Sequence, residues 1–511
     1  MTILGHGALI VVANLCLLAA GSGVTRALGL WRAPSELRRV IGVSYLAGVA
    51  GFCLAAQFLY LAGLALPLWE SLLVCAALSF TGVLPRGLPA KPWPRGPRIG
   101  RLEVAAIAFA ALILALLALD SLVQPLASWD AWTQWTPKAK ALVVTGGLDP
   151  HILGSAVYRH WHLDYPLFIP SLEAFGFRFT GVDYRALHFQ QWFLLLGFVL
   201  AFVDLLRPRV RPLFLWAAVL AIVWAPKVEN DTIAANADIA LAVFLALAGI
   251  AIFIWIVESD RRALWLFALF GAAALETKLE ATYLFVVMCA VTAFAIARLA
   301  PHRLRLTLGA ATLALVTIVP WRLWVATHHL PATNSLHGAL SGTGWHDRSR
   351  GPIATLVLVG QFFSPRGWLL LAPLSLAAVA ALALGALRPR QRVRLLVSLV
   401  CFVGIGTAIA FAIPGPSFPF PWRSSDWLLF ALALAAGVVF IATVIRARGL
   451  GAWALSATAL MFVTFVLAYI VTQYPFAWII GTSSARVVIG PEIFLAALIP
   501  LLLESTSADS R

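Results

Sequence analysis

This sequence predicts an all-α, polytopic integral membrane protein, and three observations carry that prediction. Hydrophobic residues make up 61% of the chain and charged residues 12%, with a mean hydropathy of +0.91, far from the balance of a water-soluble domain. Apolar runs recur along the chain, many of them long enough for roughly 30 Å of hydrocarbon at about 1.5 Å per residue. Basic residues collect in alternate breaks between those runs. Hydrocarbon offers no partner to a free N–H or C=O, so such runs must be helical.

In order, spans are expected at 3–20, 40–63, 67–84, 102–124, 186–206, 213–224, 239–257 and 264–275. Further spans are expected at 283–297, 306–326, 367–387, 395–413, 427–445, 452–471 and 487–503. The total is about fifteen transmembrane helices. The chain divides into extra leading helices over 1–101, a catalytic transmembrane module with outer loops over 102–326, and C-terminal helices with outer loops over 327–511.

The basic breaks hold Arg26 to Arg39, Arg86 to Arg101, Arg207 with Arg209 and Arg211, Arg261 with Arg262, Arg298 to Arg305, Arg388 to Arg394, and Arg446 with Arg448. They alternate with acidic and aromatic breaks, so the formal charge of +15 reads as membrane topology and not as a nucleic-acid partner. The basic side is then cytoplasmic. The chain starts outside, and the loops with Asp130, Asp238, Lys278, His337 and Arg486 face the exterior. The first run lacks a basic leader and a small-residue cleavage site, and is expected to stay as a helix. All five cysteines lie within apolar runs without a C-x-x-C pair, which argues against a disulfide framework or a zinc site. No phosphate-cradling glycine motif stands in a usable context, so no nucleotide cofactor is expected and any sugar donor must arrive activated.

Asp130 is the most informative residue. It follows the 102–124 run in SWDAWTQWTPKAK, where a helix should emerge into water among Trp129, Trp132 and Trp135. Tryptophan belts need no acid, so Asp130 is expected to be a catalytic base. If Ser128 caps a short helix, the three tryptophans share one side and sit in the headgroup layer, while Asp130 and Gln134 face a cavity. Pro137 should limit that helix and leave Lys138 and Lys140 just past its end, within reach of a phosphate.

Three other outer segments add polar groups. HWHLDYPLFIP supplies His160, His162, Asp164 and Tyr165; lacking a second ligand pair, these residues suit hydrogen bonding to a substrate better than metal binding. Asp238, at the mouth of the next span, should line a cavity or serve as a helix N-cap, with Asn236 an equal candidate for the cap. In ETKLEA, Glu276, Lys278 and Glu280 interrupt short spans without Gly or Pro, which favours a recess lined by helix ends. Arg486, in the loop before the last span, offers a planar fork suited to phosphate.

Taken together, SWDAW with WTPKAKAL, H-x-DYPLFIP, ANADIALA, TKLEA and AW followed by TSSAR resemble, in that order, bacterial members of the GT-C glycosyltransferase superfamily. The likeness runs from about Leu102 to the C-terminus and is greatest to the group related to the aminoarabinose and protein O-mannosyl transferases. It implies a GT-C-like bundle with short interfacial helices on outer-face loops, and Asp130 as the catalytic acid of the first outer loop. It also implies a polyprenyl-phosphate-linked sugar as donor, a lipid, glycan or protein as acceptor, and a bacterial inner membrane with chemistry on its periplasmic face. Lys278 and Arg486 map to its lysine and arginine and join Lys138 and Lys140 as expected donor-phosphate ligands. His160, His162, Asp164, Tyr165, Asp238 and Glu280 are the expected substrate-binding residues, with no metal. Many relatives carry Asp-Glu where this chain has Asp130-Ala131. An outer-face polymerase or ligase of lipid-linked saccharides is the alternative, and a transporter a more distant one.

Overall fold

The computed structural model describes residues 3–83, 93–330, 350–362, 450–472 and 474–508. The expected spans at 367–387, 395–413 and 427–445, and His337, lie outside the described residues. Within them every regular element is helical.

Nine described helices are long and apolar enough to cross a membrane: Ile3–Ala27, Ile41–Leu61, Arg101–Val123, Leu187–Leu206, Ala237–Glu258, Leu279–Leu299, Pro301–Thr327, Leu450–Val471 and Phe476–Ser505. Twelve of the expected spans fall within the described residues, and three of those twelve are not helices of this kind, each for a physical reason. Leu68–Val83 is a shorter apolar helix. Arg261–Leu275 has 15 residues, about 22 Å of helix against roughly 30 Å of hydrocarbon. Pro212–Val223 and Pro226–Ile233 meet at a 51° bend, where Pro226 cannot continue the backbone ladder of the first helix.

Ala237–Glu258 is the axis of the bundle. It is apolar on all sides, which suits a helix with no lipid or water face, and it is buried from Ala237 to Ile256. Arg261–Leu275, Ile489–Ala508 and Arg185–Leu206 pack around it. Peripheral helices keep an outward apolar face: Leu102, Leu112, Leu116, Leu119 and Val123 of Arg101–Val123 are all exposed. Exposed apolar stripes of this length belong in lipid.

Ile3–Ala27 crosses Ile41–Leu61 at a glycine contact. A Cβ at Gly21 would lie 1.7 Å from the carbonyl oxygen of Ser44, and one at Gly48 would lie 1.8 Å from that of Leu17. Close approach through small residues is how apolar helices gain packing where water gives no drive. A buried polar trio adds to it: Asn14 donates to Gln190 Oε1 (2.9 Å), Gln190 donates back to Asn14 Oδ1 (2.9 Å), and the Tyr45 hydroxyl donates to the same oxygen (2.7 Å).

The two ends of the bundle differ chemically. At one end the guanidinium groups of Arg209 (4.7 Å) and Arg262 (5.1 Å) both stand over the Trp93 ring, whose indole N–H donates to the Asp204 carbonyl. Around it Arg207 pairs with Glu103, Arg209 with Glu258 and Arg262 with Asp260. Asp238 stands at the opposite end of the same Ala237–Glu258 helix, about 30 Å from Glu258. That opposite end holds the cavity.

Candidate active site

After Arg101–Val123 the chain runs extended to Ser128, whose carbonyl accepts the amide of Trp132 at 3.1 Å. Ala131–Trp135 then forms one π-helical turn that leads into the α-helix Thr136–Val144. Such widened turns change which way side chains point, and here they break the expected tryptophan face. Trp129 and Trp132 are 72% and 47% exposed, whereas Trp135 is 1% exposed and cannot lie among headgroups. Its ring meets Tyr165 edge-on at 5.6 Å and the Lys138 ammonium at 4.9 Å. Asp130 and Gln134 both face the cavity.

Pro137 also acts differently from the expectation. It stands where the π-turn passes into Thr136–Val144, within helical backbone that is continuous from Trp129, so it does not end the helix. Lys138 and Lys140 consequently lie within the helix, and neither lines the cavity. Lys140 is exposed. Lys138 is buried and donates to the His162 carbonyl at 3.1 Å. Burial pushes its ammonium down to about 7, against the opposing pull of Asp164 and Glu173.

The cavity has a volume of about 590 Å³ and is built from segments far apart in sequence. Asp130, His162, Tyr165, Asp238, Lys278, Glu280 and Arg486 all line it. Asp130 Oδ2 accepts from Arg486 Nη1 at 2.5 Å. Lys278 Nζ donates to Asp238 Oδ1 at 2.8 Å and stands 4.0 Å from Glu280. Lys278 is held above the usual lysine range, with the neighbouring Asp238 and Glu280 outweighing burial. The Tyr165 hydroxyl donates to Glu280 Oε1 at 3.1 Å, and its phenol is pushed well up by burial. His162 has left-handed backbone (φ 50°), and its imidazole is lowered by burial and then by Lys138.

His160 and Asp164 do not line the cavity. His160 is exposed beside Trp161. Asp164 is buried behind the wall, where its carbonyl accepts from Trp321 (3.0 Å) and Arg322 (3.4 Å). The cavity is lined instead by residues that the sequence analysis did not name as substrate ligands.

Asn236 is one of them. It precedes Ala237–Glu258 at the cap position, yet its side chain makes no cap bond. Its oxygen accepts from Ser128 (2.8 Å) and its amide nitrogen donates to Asp231 (3.0 Å). Ser128 and Asn236 line the cavity, as do Tyr469, Tyr474, Trp478 and Ser483. Arg486 is not in a loop: it belongs to the last turn of the helix Phe476–Val487, which continues almost directly into Ile489–Ala508. Thr482, Ser483 and Arg486 occupy neighbouring faces of that helix, a spacing that could have marked a polar wall in an otherwise apolar segment.

Behind the cavity the leading helices brace the site. Gln57 of Ile41–Leu61 donates to Glu276 Oε2 at 2.7 Å and accepts the Leu167 amide at 2.7 Å. Glu276, Thr277 and Lys278 are buried, so ETKLEA forms a recess of helix ends and not a solvated turn. Burial pushes the Glu276 carboxyl up to about 8, against the Gln57 bond and the charge of Arg322.

Chemically the cavity offers carboxylates that can take a proton, two cations that can hold an anion, and an apolar wall of Phe465, Tyr469 and Ile479. Among the described residues no cluster of three or more His, Cys, Asp or Glu is placed to hold a metal ion. Comparison with protein-family models, with curated proteins and with solved structures gives no match to this chain.

Proposed function

We propose that this protein is a membrane glycosyltransferase that moves a single sugar from a polyprenyl phosphate to an acceptor hydroxyl on the outer face of a bacterial plasma membrane. The observation that carries this reading is the meeting of Asp130, Arg486 and Lys278 in one cavity with an apolar side. A polyprenyl-phosphate sugar asks for cations at its phosphate, an apolar surface for its tail and a carboxylate near the sugar.

In the reaction, Asp130 accepts the proton of the acceptor hydroxyl as that oxygen attacks the anomeric carbon. The new C–O bond forms on the face opposite the leaving group, and the bond from that carbon to the phosphate oxygen breaks. Its electron pair departs on the polyprenyl phosphate, so configuration inverts. A positioned base typically contributes about 10² to 10⁴-fold. Arg486 and Lys278, fixed before the reaction, stabilise the charge that develops on the leaving phosphate.

The test compares envelope glycans and lipid-linked sugars by mass spectrometry in cells lacking the protein, carrying wild type, or carrying Asp130→Asn at matched abundance. Loss of one sugar from an acceptor, with build-up of its polyprenyl donor, is expected in both deletion and mutant. A mutant indistinguishable from wild type would remove Asp130 from the chemistry.

A further inference from the structure

The base proposed above is not free. Asp130 Oδ2 accepts from Arg486 Nη1 at 2.5 Å, so that carboxylate oxygen is already occupied by a guanidinium where a hydroxyl would have to approach it. The other lysine or arginine among the described cavity residues, Lys278, is likewise engaged, by Asp238 at 2.8 Å and Glu280 at 4.0 Å. The site thus holds its carboxylates on the cations that a phosphate would need.

We propose that Asp130 occupies the donor-phosphate position on Arg486 until the donor arrives, so that donor binding displaces Asp130 and frees it to act as the base. This deepens, and rests on, the reading of the cavity as a polyprenyl-phosphate site. Its physical basis is competition for one guanidinium. Arginine presents a planar fork that fits carboxylate and phosphate alike; the donor's phosphodiester carries one negative charge, as Asp130 does, and its apolar tail against Phe465 and Ile479 adds the binding that favours the exchange. The exchange needs no opening of the core, because the Asp130 and Arg486 side chains are 15% and 25% exposed and both line the cavity.

The arrangement imposes an order. Before the donor binds, an acceptor hydroxyl or a water molecule meets a carboxylate held on Arg486. Once phosphate sits on Arg486, the displaced carboxylate lies beside it, next to the anomeric carbon. A ligand shifts such an equilibrium only by its preference for one state, and the phosphate supplies that preference. When the product phosphate leaves, the pair closes again.

The proposal makes an unusual demand: removing the base must strengthen binding of the donor's phosphate. The test uses the full chain in lipid nanodiscs and measures binding of farnesyl phosphate, with farnesol as the uncharged control. Asp130→Asn and Asp130→Ala should each bind farnesyl phosphate roughly fivefold or more tighter than wild type, the scale of freeing one partly exposed charge pair and removing a like charge. Farnesol binding should not change. Arg486→Gln should bind farnesyl phosphate weakly, and adding Asp130→Asn to it should bring no gain. Equal or weaker binding by both Asp130 variants, or an equal gain for farnesol, would overturn the displacement mechanism while leaving the cavity a prenyl-phosphate site. Failure of wild type and all variants to bind farnesyl phosphate would instead remove the donor reading and the mechanism with it.

Discussion

Ser128 donates its hydroxyl to Oδ1 of Asn236 at 2.8 Å, joining the stretch that carries Asp130 to the head of the buried Ala237–Glu258 helix. Asp130 lies two residues beyond that bond, so its position depends on Asn236 although the two residues are 106 apart in sequence. Asn236→Ala should lower transfer by roughly 10 to 100-fold, the scale of a misplaced reacting group, with the protein still folded. Turnover and thermal stability measured side by side check this. Unchanged turnover would mean that the Asp130 segment is held by other contacts.

Lys278 and Asp238 form a buried pair, 7% and 5% exposed. Removing one partner leaves an unanswered charge, so Lys278→Met should destabilise the protein by about 3 to 5 kcal/mol. The double variant Lys278→Met with Asp238→Leu should regain most of that loss while remaining inactive. Unfolding in detergent for the two single variants and the double variant gives the coupling directly; additive losses would show that the pair does not act as a unit.

Glu276 provides a pH signature. Its carboxyl is raised to about 8 by burial, against about 4.3 in an unfolded chain. Between those values the folded state holds a proton that the unfolded state has released. The stability this group contributes is therefore full at low pH, falls by up to about 1.4 kcal/mol per pH unit, and is gone above pH 8. Glu276→Gln keeps an oxygen for the Gln57 bond and should flatten the melting temperature between pH 5.5 and 8 relative to wild type. Parallel curves for the two proteins would refute the assignment.

The helix crossing at Gly21 and Gly48 should tolerate nothing larger. Gly48→Val forces its new atoms into the Leu17 carbonyl, and should cost more than about 2 kcal/mol or prevent accumulation in the membrane. Gly309 is a matched control, because a Cβ there meets nothing within 4 Å. Gly309→Ala should be neutral or stabilise by up to about 1 kcal/mol, since alanine favours helix. Expression and melting temperature of both variants decide the matter.

Orientation can be read by labelling. Val157, 77% exposed, lies on the segment that leads to the cavity wall, and the exposed Arg261 lies at the arginine end. Val157→Cys should react with an impermeant thiol reagent in intact cells, and Arg261→Cys only after permeabilisation, each compared with the parent protein. The opposite pattern would turn the active face toward the cytoplasm.

How much of this was legible in the sequence varied with the kind of signal. Asp130, Asp238, Lys278 and Arg486 interrupt apolar runs, and charge in such a place is costly enough to stand out; all four meet in the cavity. Lys138 was misplaced because Pro137 reads as the end of a helix, whereas a π-turn before it lets the helix run on. Trp135 was misplaced because a single π-turn is invisible in a pattern read at regular helical spacing. Tyr469 and Trp478 went unmarked because an apolar helix shows no contrast between a lipid face and a cavity face. Arg261–Leu275 looked like a span because hydropathy does not reveal whether a helix ends at the interface or inside the protein.

Trp93 gives the arginines at the far end of the bundle a second meaning. With Arg209 and Arg262 both over its ring and its indole N–H on the Asp204 carbonyl, this one residue ties its own segment to two others that hydropathy treats as independent. Arg209 and Arg262 thus act as mortar between these segments, each matched to a carboxylate in the folded protein. A count of positive residues therefore overstates how cationic that surface is to an approaching partner, and an alanine in place of Trp93 would fray the seam between these segments.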